Sequence, residues 1–415
     1  MNQELRKDAE QIIDVAIASV QPDAAVRRAL SNLVFSEHVY IVAIGKAGWQ
    51  MANAAVSYLQ ENGIRYEKGV VLTKYHHVMG QLPRMLCVEA GHPVPDENSF
   101  KGTKEVLSMV KDLTAEDMVL FLVSGGGSAL FEKPKISGEE LADITEQLLA
   151  SGADIVEMNT IRKRLSEVKG GRFALACMPA MVEAVVLSDI VGDPMDMIAS
   201  GPAYPDASTC EDAGKIAKKY KLRLSAAAEK CLADETPKEL HNVHTQIIGS
   251  VRQLCKAAYK ACKELGYEPR ILAEDVTAEA REVGWNLAQL CLREHDNAGE
   301  KKMALIAGGE TVVHLRGKGK GGRNQELAFS AMKVIAGQKD IAIFSVGSDG
   351  TDGPTDAAGG YVDGDSYEAL KNAGLSYEKI LQDNDCYHGL QAIEGLVMTG
   401  PTGTNVNDFW VALIG

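Results

Sequence analysis

No two cysteines in this chain stand in a CxxC spacing, although 8 occur, at positions 87, 177, 210, 231, 255, 262, 291 and 386. That excludes the usual paired-cysteine zinc site and the thioredoxin-like redox pair. Scattered thiols in a chain of 415 residues suit a reducing compartment. No apolar run much exceeds strand length, so no transmembrane span is expected. The opening MNQELRKDAEQIID reads as a charged helix and not as a signal peptide, which points to the cytoplasm. An excess of positive charge is also missing, the formal net charge being −14. Such a surface repels nucleic acid and anionic membrane, so neither is expected as a partner. A small anionic substrate would need cations gathered at its own site.

The familiar nucleotide-handling signatures are absent as well. There is no GxxxxGK[ST] P-loop, no H-R-D or D-F-G kinase motif, and no clean G-x-G-x-x-G opening a βαβ unit. The acidic run 349–356 fails the EF-hand pattern, and no short repeat or low-complexity tract is visible.

The chain is too long for one hydrophobic core, so at least two domains are expected. Short apolar runs alternate with helical stretches: VYIVAI (39–44), VVLT (70–73), MVLFLV (118–123) and EAVVLS (183–188). Continuous runs of this kind suit parallel strands covered on both faces, and the alternation predicts a doubly wound α/β sheet. A helix over about 154–169 places Ile155, Met158, Ile161, Leu165 and Val168 on a core-facing stripe, with Arg162, Lys163, Arg164 and Lys169 opposite. A polar helical stretch from Ser208 to about Leu240 holds the expected boundary, giving domains 1–238 and 239–415. The second set of elements starts with HTQIIG (244–249) and continues through EPRILA (268–273), MALIAG (303–308), TVVHL (311–315), DIAIFSVG (340–347) and DFWVALI (408–414). It reads as a smaller mixed α/β domain whose last residues have the option of returning to the first.

The 40 glycines gather after apolar runs, and ligands in open α/β sheets bind beyond the carboxyl ends of strands. The densest such loop is 316–323, Arg-Gly-Lys-Gly-Lys-Gly-Gly-Arg, just ahead of a helix expected to start near Asn324. Glycine lets backbone N–H groups point at a ligand, and a helix N-terminus adds positive partial charge. Lys318, Lys320, Gly321, Gly322, Arg323 and Asn324 are therefore candidates for binding an anion. A mobile charged turn is the plain alternative. In IGKAGWQM (44–51), Gly45 turns the chain and Lys46 sits between a strand end and a helix start, a position suited to a phosphate oxygen. In SGGGSA (124–129), Ser124, Gly125, Gly126, Gly127 and Ser128 form either an anion nest or a tight turn with a serine cap. Asp189, Asp193, Glu310, Asp349, Asp352 and Asp356 lie on loops after strands, where they could hold Mg²⁺, serve as a base, or simply turn the chain. HPVPDENS (92–99) reads as a structural turn ending in a cap at Asn98 or Ser99.

Eight ordered segments then carry a resemblance: AIGKAGWQMA, AGHPVPDENS, VSGGGSAL, MNTIRKRLSEVKGGRFA, LSDIVGDPMDMIASGPAYPD, GGETVVHLRGKGKGGRNQELAF, VGSDGTDGPTDAAGG and GPTGTNVND. In these the chain resembles the class II glycerate kinases, or glycerate 2-kinases, with a C-terminal MOFRL domain. The resemblance implies an N-terminal Rossmann-like domain, a smaller C-terminal α/β domain and an active site in the cleft between them. It implies ATP, Mg²⁺ or another divalent cation, D-glycerate as acceptor and 2-phosphoglycerate as product. Lys46 and Arg323 would then be needed for activity, with Asp189 as a further catalytic candidate and Arg162 among the binding residues. The metal candidates are Asp189, Asp193, Glu310 and Asp349. A homodimer is compatible with this reading. The alternatives are an NAD(P)H-dependent hydroxypyruvate reductase, disfavoured by the missing dinucleotide fingerprint, and a non-catalytic protein that binds phosphorylated metabolites.

Overall fold

The computed structural model describes residues 2–188, 190, 192, 194–298 and 301–415. Among the described residues the chain folds as two compact units, one of Pro22–Ile248 and one that joins Met1–Gln21 to Gly249–Gly415.

The first unit is built on strands β1 (His38–Ile44), β2 (Lys68–Lys74), β3 (Met85–Ala90), β4 (Asp117–Val123), β5 (Met181–Leu187) and β6 (Val243–Gly249), in the order β3-β2-β1-β4-β5-β6. Pairing from β3 through β5 is parallel. Every residue of β4 is buried, as its unbroken apolar run requires. Helices cover the sheet, and Phe121, Phe131 and Phe173 pack ring against ring in the core beneath it. Strand order reverses between β1 and β4, so the turns that follow these two strands flank the switch point of a doubly wound sheet.

The second unit holds β7 (Glu268–Val276), β8 (Met303–Gly309), β9 (Ile341–Gly347), β10 (Gly359–Asp363), β11 (Leu396–Val397) and β12 (Asp408–Ile414), in the order β11-β10-β9-β12-β8-β7. It is a mixed sheet. β12 runs antiparallel to both β8 and β9, and its first residue, Asp408, pairs with Gly309 and with Gly347. The carboxyl ends of β8 and β9 thus flank the start of β12.

Several expectations are revised. HTQIIG does not open the second sheet; it forms the outer strand of the first, which moves the division of the chain from 238/239 to 248/249. The last strand, β12, stays in the centre of the second sheet, and it is the first helix, Gln3–Ser19, that joins the distant part of the chain. TVVHL makes only an isolated bridge from Val312 to Glu279. The helix expected over 154–169 spans Ile155–Arg164; Ile155 is exposed, whereas Lys163, Arg164 and Lys169 are buried in ion pairs with Asp206, Asp196, Glu235 and Glu132. The helix Glu97–Val110 is capped by Asp96 and not by Asn98 or Ser99, the Ser99 hydroxyl closing the capping box instead.

Candidate active site

In the first unit the turn after β1 is locked to the turn after β4. The buried Ser124 Oγ donates to the Ile44 carbonyl at 3.1 Å and accepts the Ala47 N–H at 3.0 Å. The Lys46 N–H donates to the Gly125 carbonyl at 2.8 Å. Gly45 has φ +104°, and a Cβ there would lie 2.3 Å from both the carbonyl oxygen and the hydroxyl of Ser124, so only glycine fits the turn. The expectation that Ser124 binds a ligand is therefore corrected, because its hydroxyl is spent on the fold. Lys46 is left half-buried beyond the carboxyl end of β1, at the switch point, with its carbonyl held by Thr73 Oγ1 at 3.2 Å and by the His77 ring at 2.9 Å.

Gly126 and Gly127 lead into the short helix Gly127–Leu130. The Ser128 hydroxyl meets Ser200 Oγ at 3.0 Å, and Ser200 Oγ donates onward to Asn159 at 3.0 Å. The Ser128 carbonyl receives Arg162 Nη2 at 3.1 Å and the buried Lys169 ammonium at 2.8 Å. Arg162 is thus brought to the glycine-rich turn, where it braces the backbone. Ala199, Ser200 and Gly201 are left-handed in succession, with φ of 52°, 61° and 64°. Two adjacent non-glycine residues in that region store strain, which clusters at functional sites. Beside the glycine-rich turn, against Gly126, lies His92, whose significance the sequence did not disclose.

In the second unit the basic loop behaves differently from expectation. The N–H groups of Arg316 to Lys320 do not face an open anion nest; they are taken by the turn Asp383-Asn384-Asp385. Asn384 Oδ1 accepts from Arg316 and Gly317, Asp383 Oδ1 from Lys318, and Asp385 Oδ1 from Lys320. A Cβ on Gly317 would sit 2.2 Å from the Asp383 carboxylate, so glycine permits this approach and not that of a ligand. The Lys318 side chain is exposed, and Lys320 Nζ lies 4.0 Å above the Tyr387 ring, whose hydroxyl donates to Asp356. Gly321 and Gly322 pass under residues 384–386 and Asp352. The helix N-terminus is filled as well. The buried Asp352 carboxylate accepts the N–H groups of Asn324 at 3.1 Å and Gln325 at 2.8 Å, capping the helix Arg323–Ala331. Burial pushes the Asp352 carboxyl up to about 7 despite these donors. Asn324 is buried and bonded to Ser345 at 2.6 Å.

Arg323 is the cation of this loop aimed back at the sheet. Nε and Nη2 bind Asp408 Oδ2 and Oδ1 at 2.5 Å and 3.2 Å, and Nη1 binds Glu310 at 2.9 Å. Burial disfavours its charge, but Asp408 and then Glu310 outweigh that and raise its pKa further. Asp408, at the start of β12, is a functional candidate that the sequence reading passed over. It lies inside the quoted GPTGTNVND, yet an Asp opening a strand gives no sign that two other strand ends flank it.

Asp349, after β9, accepts the N–H of Thr351 in a tight turn. Asp189 and Asp193 lie outside the described residues. Among the described residues no group of three or more His, Cys, Asp or Glu side chains stands ready for a metal ion. Glu310 is bonded to Arg323 and Asp349 to the Thr351 N–H in this structure.

Comparison with known proteins agrees with this architecture. Residues 8–233 match a domain of unknown function, DUF4147, and residues 303–408 match the MOFRL family. The D-glycerate 2-kinase of Thermotoga maritima is 49% identical over 414 residues, 99% of this chain and 98% of that protein. A protein of Agrobacterium vitis with the provisional name hydroxypyruvate reductase is 36% identical across 99% of this chain and 94% of its own length. The crystal structure of a glycerate kinase from Thermotoga maritima superposes with a TM-score of 0.95 at 48% identity, covering 100% of both chains.

Proposed function

The chain belongs to the family of the glycerate 2-kinases that end in a MOFRL domain, and we propose that it transfers the γ-phosphoryl group of ATP to the 2-hydroxyl of D-glycerate, giving ADP and 2-phosphoglycerate. Phosphoryl transfer leaves the protein little covalent chemistry; it positions the groups and stabilises charge. The observation that carries the reading is Lys46 at the switch point of the first sheet, its backbone fixed and its ammonium left to meet phosphoryl oxygens. Gly125, Gly126 and Gly127 supply a close-approaching backbone beside it. In the second unit Arg323 supplies a planar fork for phosphoryl or carboxylate oxygens. Glu310, 45% exposed against 3% for Asp408, is the partner that yields when substrate arrives.

One observation favours the reductase reading. The strand order 3-2-1-4-5-6 is that of dinucleotide-binding folds. In those folds the first βα turn offers free N–H groups to a pyrophosphate; here the Lys46 N–H is bonded to Gly125 and the Ala47 N–H to Ser124. A phosphate at this turn must be held by the Lys46 side chain, which suits a transferring group better than a resident dinucleotide. The cytoplasmic setting fits all 8 cysteines being free, and no described helix is long and apolar enough to cross a membrane. Phosphorus NMR of a mixture of protein, ATP, Mg²⁺ and D-glycerate tests the proposal. A 2-phosphoglycerate resonance growing with ADP is expected; NADH consumption with hydroxypyruvate and no ADP would overturn it.

A further inference from the structure

His92 follows β3 directly, at the same sheet edge as Lys46 and the glycine-rich turn. A Cβ built on Gly126 would lie 3.0 Å from His92 Cδ2, 3.1 Å from Nε2 and 3.2 Å from Lys46 Cγ. The imidazole, the Lys46 stem and the turn after β4 therefore share one corner. The ring is half-buried, yet no described hydrogen bond holds either of its nitrogens. An acceptor can therefore reach the ring, whereas the His77 ring is held by the Lys46 carbonyl. We infer that His92 is a catalytic residue, its imidazole touching the acceptor and taking the proton from the hydroxyl that attacks phosphorus. This rests on the kinase reading.

The step balances. The acceptor O–H bond breaks and its proton passes to a ring nitrogen. The oxygen forms the new O–P bond while the bond from phosphorus to the ADP oxygen breaks and ADP leaves with that electron pair. The imidazolium then returns its proton to water. The surroundings suit a base. Burial lowers the His92 pKa first, and the charges of Lys46, Lys74 and His77 lower it further. Lys46 faces it from the turn after β1, and Lys74 and His77 from the end of β2. The turn after β4 brings no acid, its Ser128 carbonyl being held by the cations of Arg162 and Lys169, and on its own turn Asp96 is engaged in capping and in a bond from Tyr75. The ring thus keeps a free lone pair at neutral pH while the neighbouring cations hold the negative charge of the reactants.

The test compares wild type, His92→Gln and His92→Ala for ATP-dependent phosphoglycerate formation across pH, with circular dichroism to confirm folding. General-base loss predicts a kcat lower by about 10²- to 10⁴-fold with KM little changed, and loss of the acidic limb of the pH profile. Added imidazole should restore part of kcat in His92→Ala, following the free-base form. If His92→Ala does not fold, His92→Gln decides by kcat and the pH limb. Unchanged kcat, a defect in KM alone, or a folded His92→Ala that imidazole does not rescue would overturn the assignment. An active wild type beside equally active variants sinks this inference alone; a wild type that makes no phosphoglycerate sinks the kinase reading and this inference with it.

Discussion

Arg323 holds both carboxylate oxygens of Asp408 with two of its nitrogens and keeps the third on Glu310. The guanidinium is oriented from beneath by a buried acid and covered by an exposed one. Arg323→Lys keeps the charge but cannot reproduce the two-toothed contact. Its kcat/KM should fall nearly as far as that of Arg323→Ala. Asp408→Asn should lower activity strongly by letting the fork swing, while Glu310→Gln should leave the unfolding midpoint almost unchanged, because an exposed pair contributes little. Steady-state kinetics and urea melts on the four variants check this; an inert Asp408→Asn would refute the orienting role.

Lys46→Ala should lower kcat on the order of 10²-fold or more, as expected when a preorganised charge is removed from the transition state. A rise in KM at constant kcat would mean that Lys46 binds substrate and transition state alike.

The Lys169–Glu132 pair is wholly buried behind the glycine-rich turn, with Nζ 3.3 Å from Oε2 and bonded to the Ser128 and Phe131 carbonyls at 2.8 Å and 3.1 Å. Burial draws the Lys169 ammonium down to about 8 against the pull of Glu132. Lys169→Met leaves the buried Glu132 carboxylate with the Ser166 hydroxyl but no counter-charge and should cost about 3–5 kcal/mol. Lys169→Met/Glu132→Leu should recover much of that loss. Urea denaturation of both variants measures it, and a double variant no more stable than the single would count against the account.

Asp352 gives a pH signature. Its carboxyl is raised from the ordinary carboxylate range to about 7 in the folded protein. The folded state therefore binds a proton that the unfolded state has released between about pH 4 and 7. Its contribution to stability is complete below that window and is lost as pH rises through about 7. Unfolding free energies from pH 4 to 8 should slope less in Asp352→Asn than in wild type; parallel curves would exclude Asp352 as the source.

How legible this molecule is from its sequence depends on how local each feature is. β1, β4, β8, β9 and β12 declared themselves as unbroken apolar runs, and Lys46 was found because it directly follows one of them. β3, MLCVEA, is mostly half-exposed at the sheet edge and carries a weak pattern. With that strand unseen, His92 looked like part of a proline-rich turn. The basic loop misled in the opposite direction. Its glycines and cations announce a cradle, but what fills the cradle is the 383–385 turn, more than sixty residues later, and no local pattern pairs the two. Likewise Lys163, Arg164 and Lys169 look like a solvated face because their buried acidic partners, Asp206, Glu235 and Glu132, lie on other elements.

The helix Gln3–Ser19 has a consequence for synthesis. It is made before the whole Pro22–Ile248 unit, yet its partners come later: Tyr267 bonds Asp8, Asp363 bonds the Asn2 N–H, and the Leu396 carbonyl bonds Arg6. On the ribosome, where domains fold as they emerge, the intervening unit can close while Ile12, Ile13 and Ile17 still lack the surface that buries them. The nascent chain therefore carries an uncovered apolar stripe until the helix Val251–Glu264, against which Gln3–Ser19 packs, has been made.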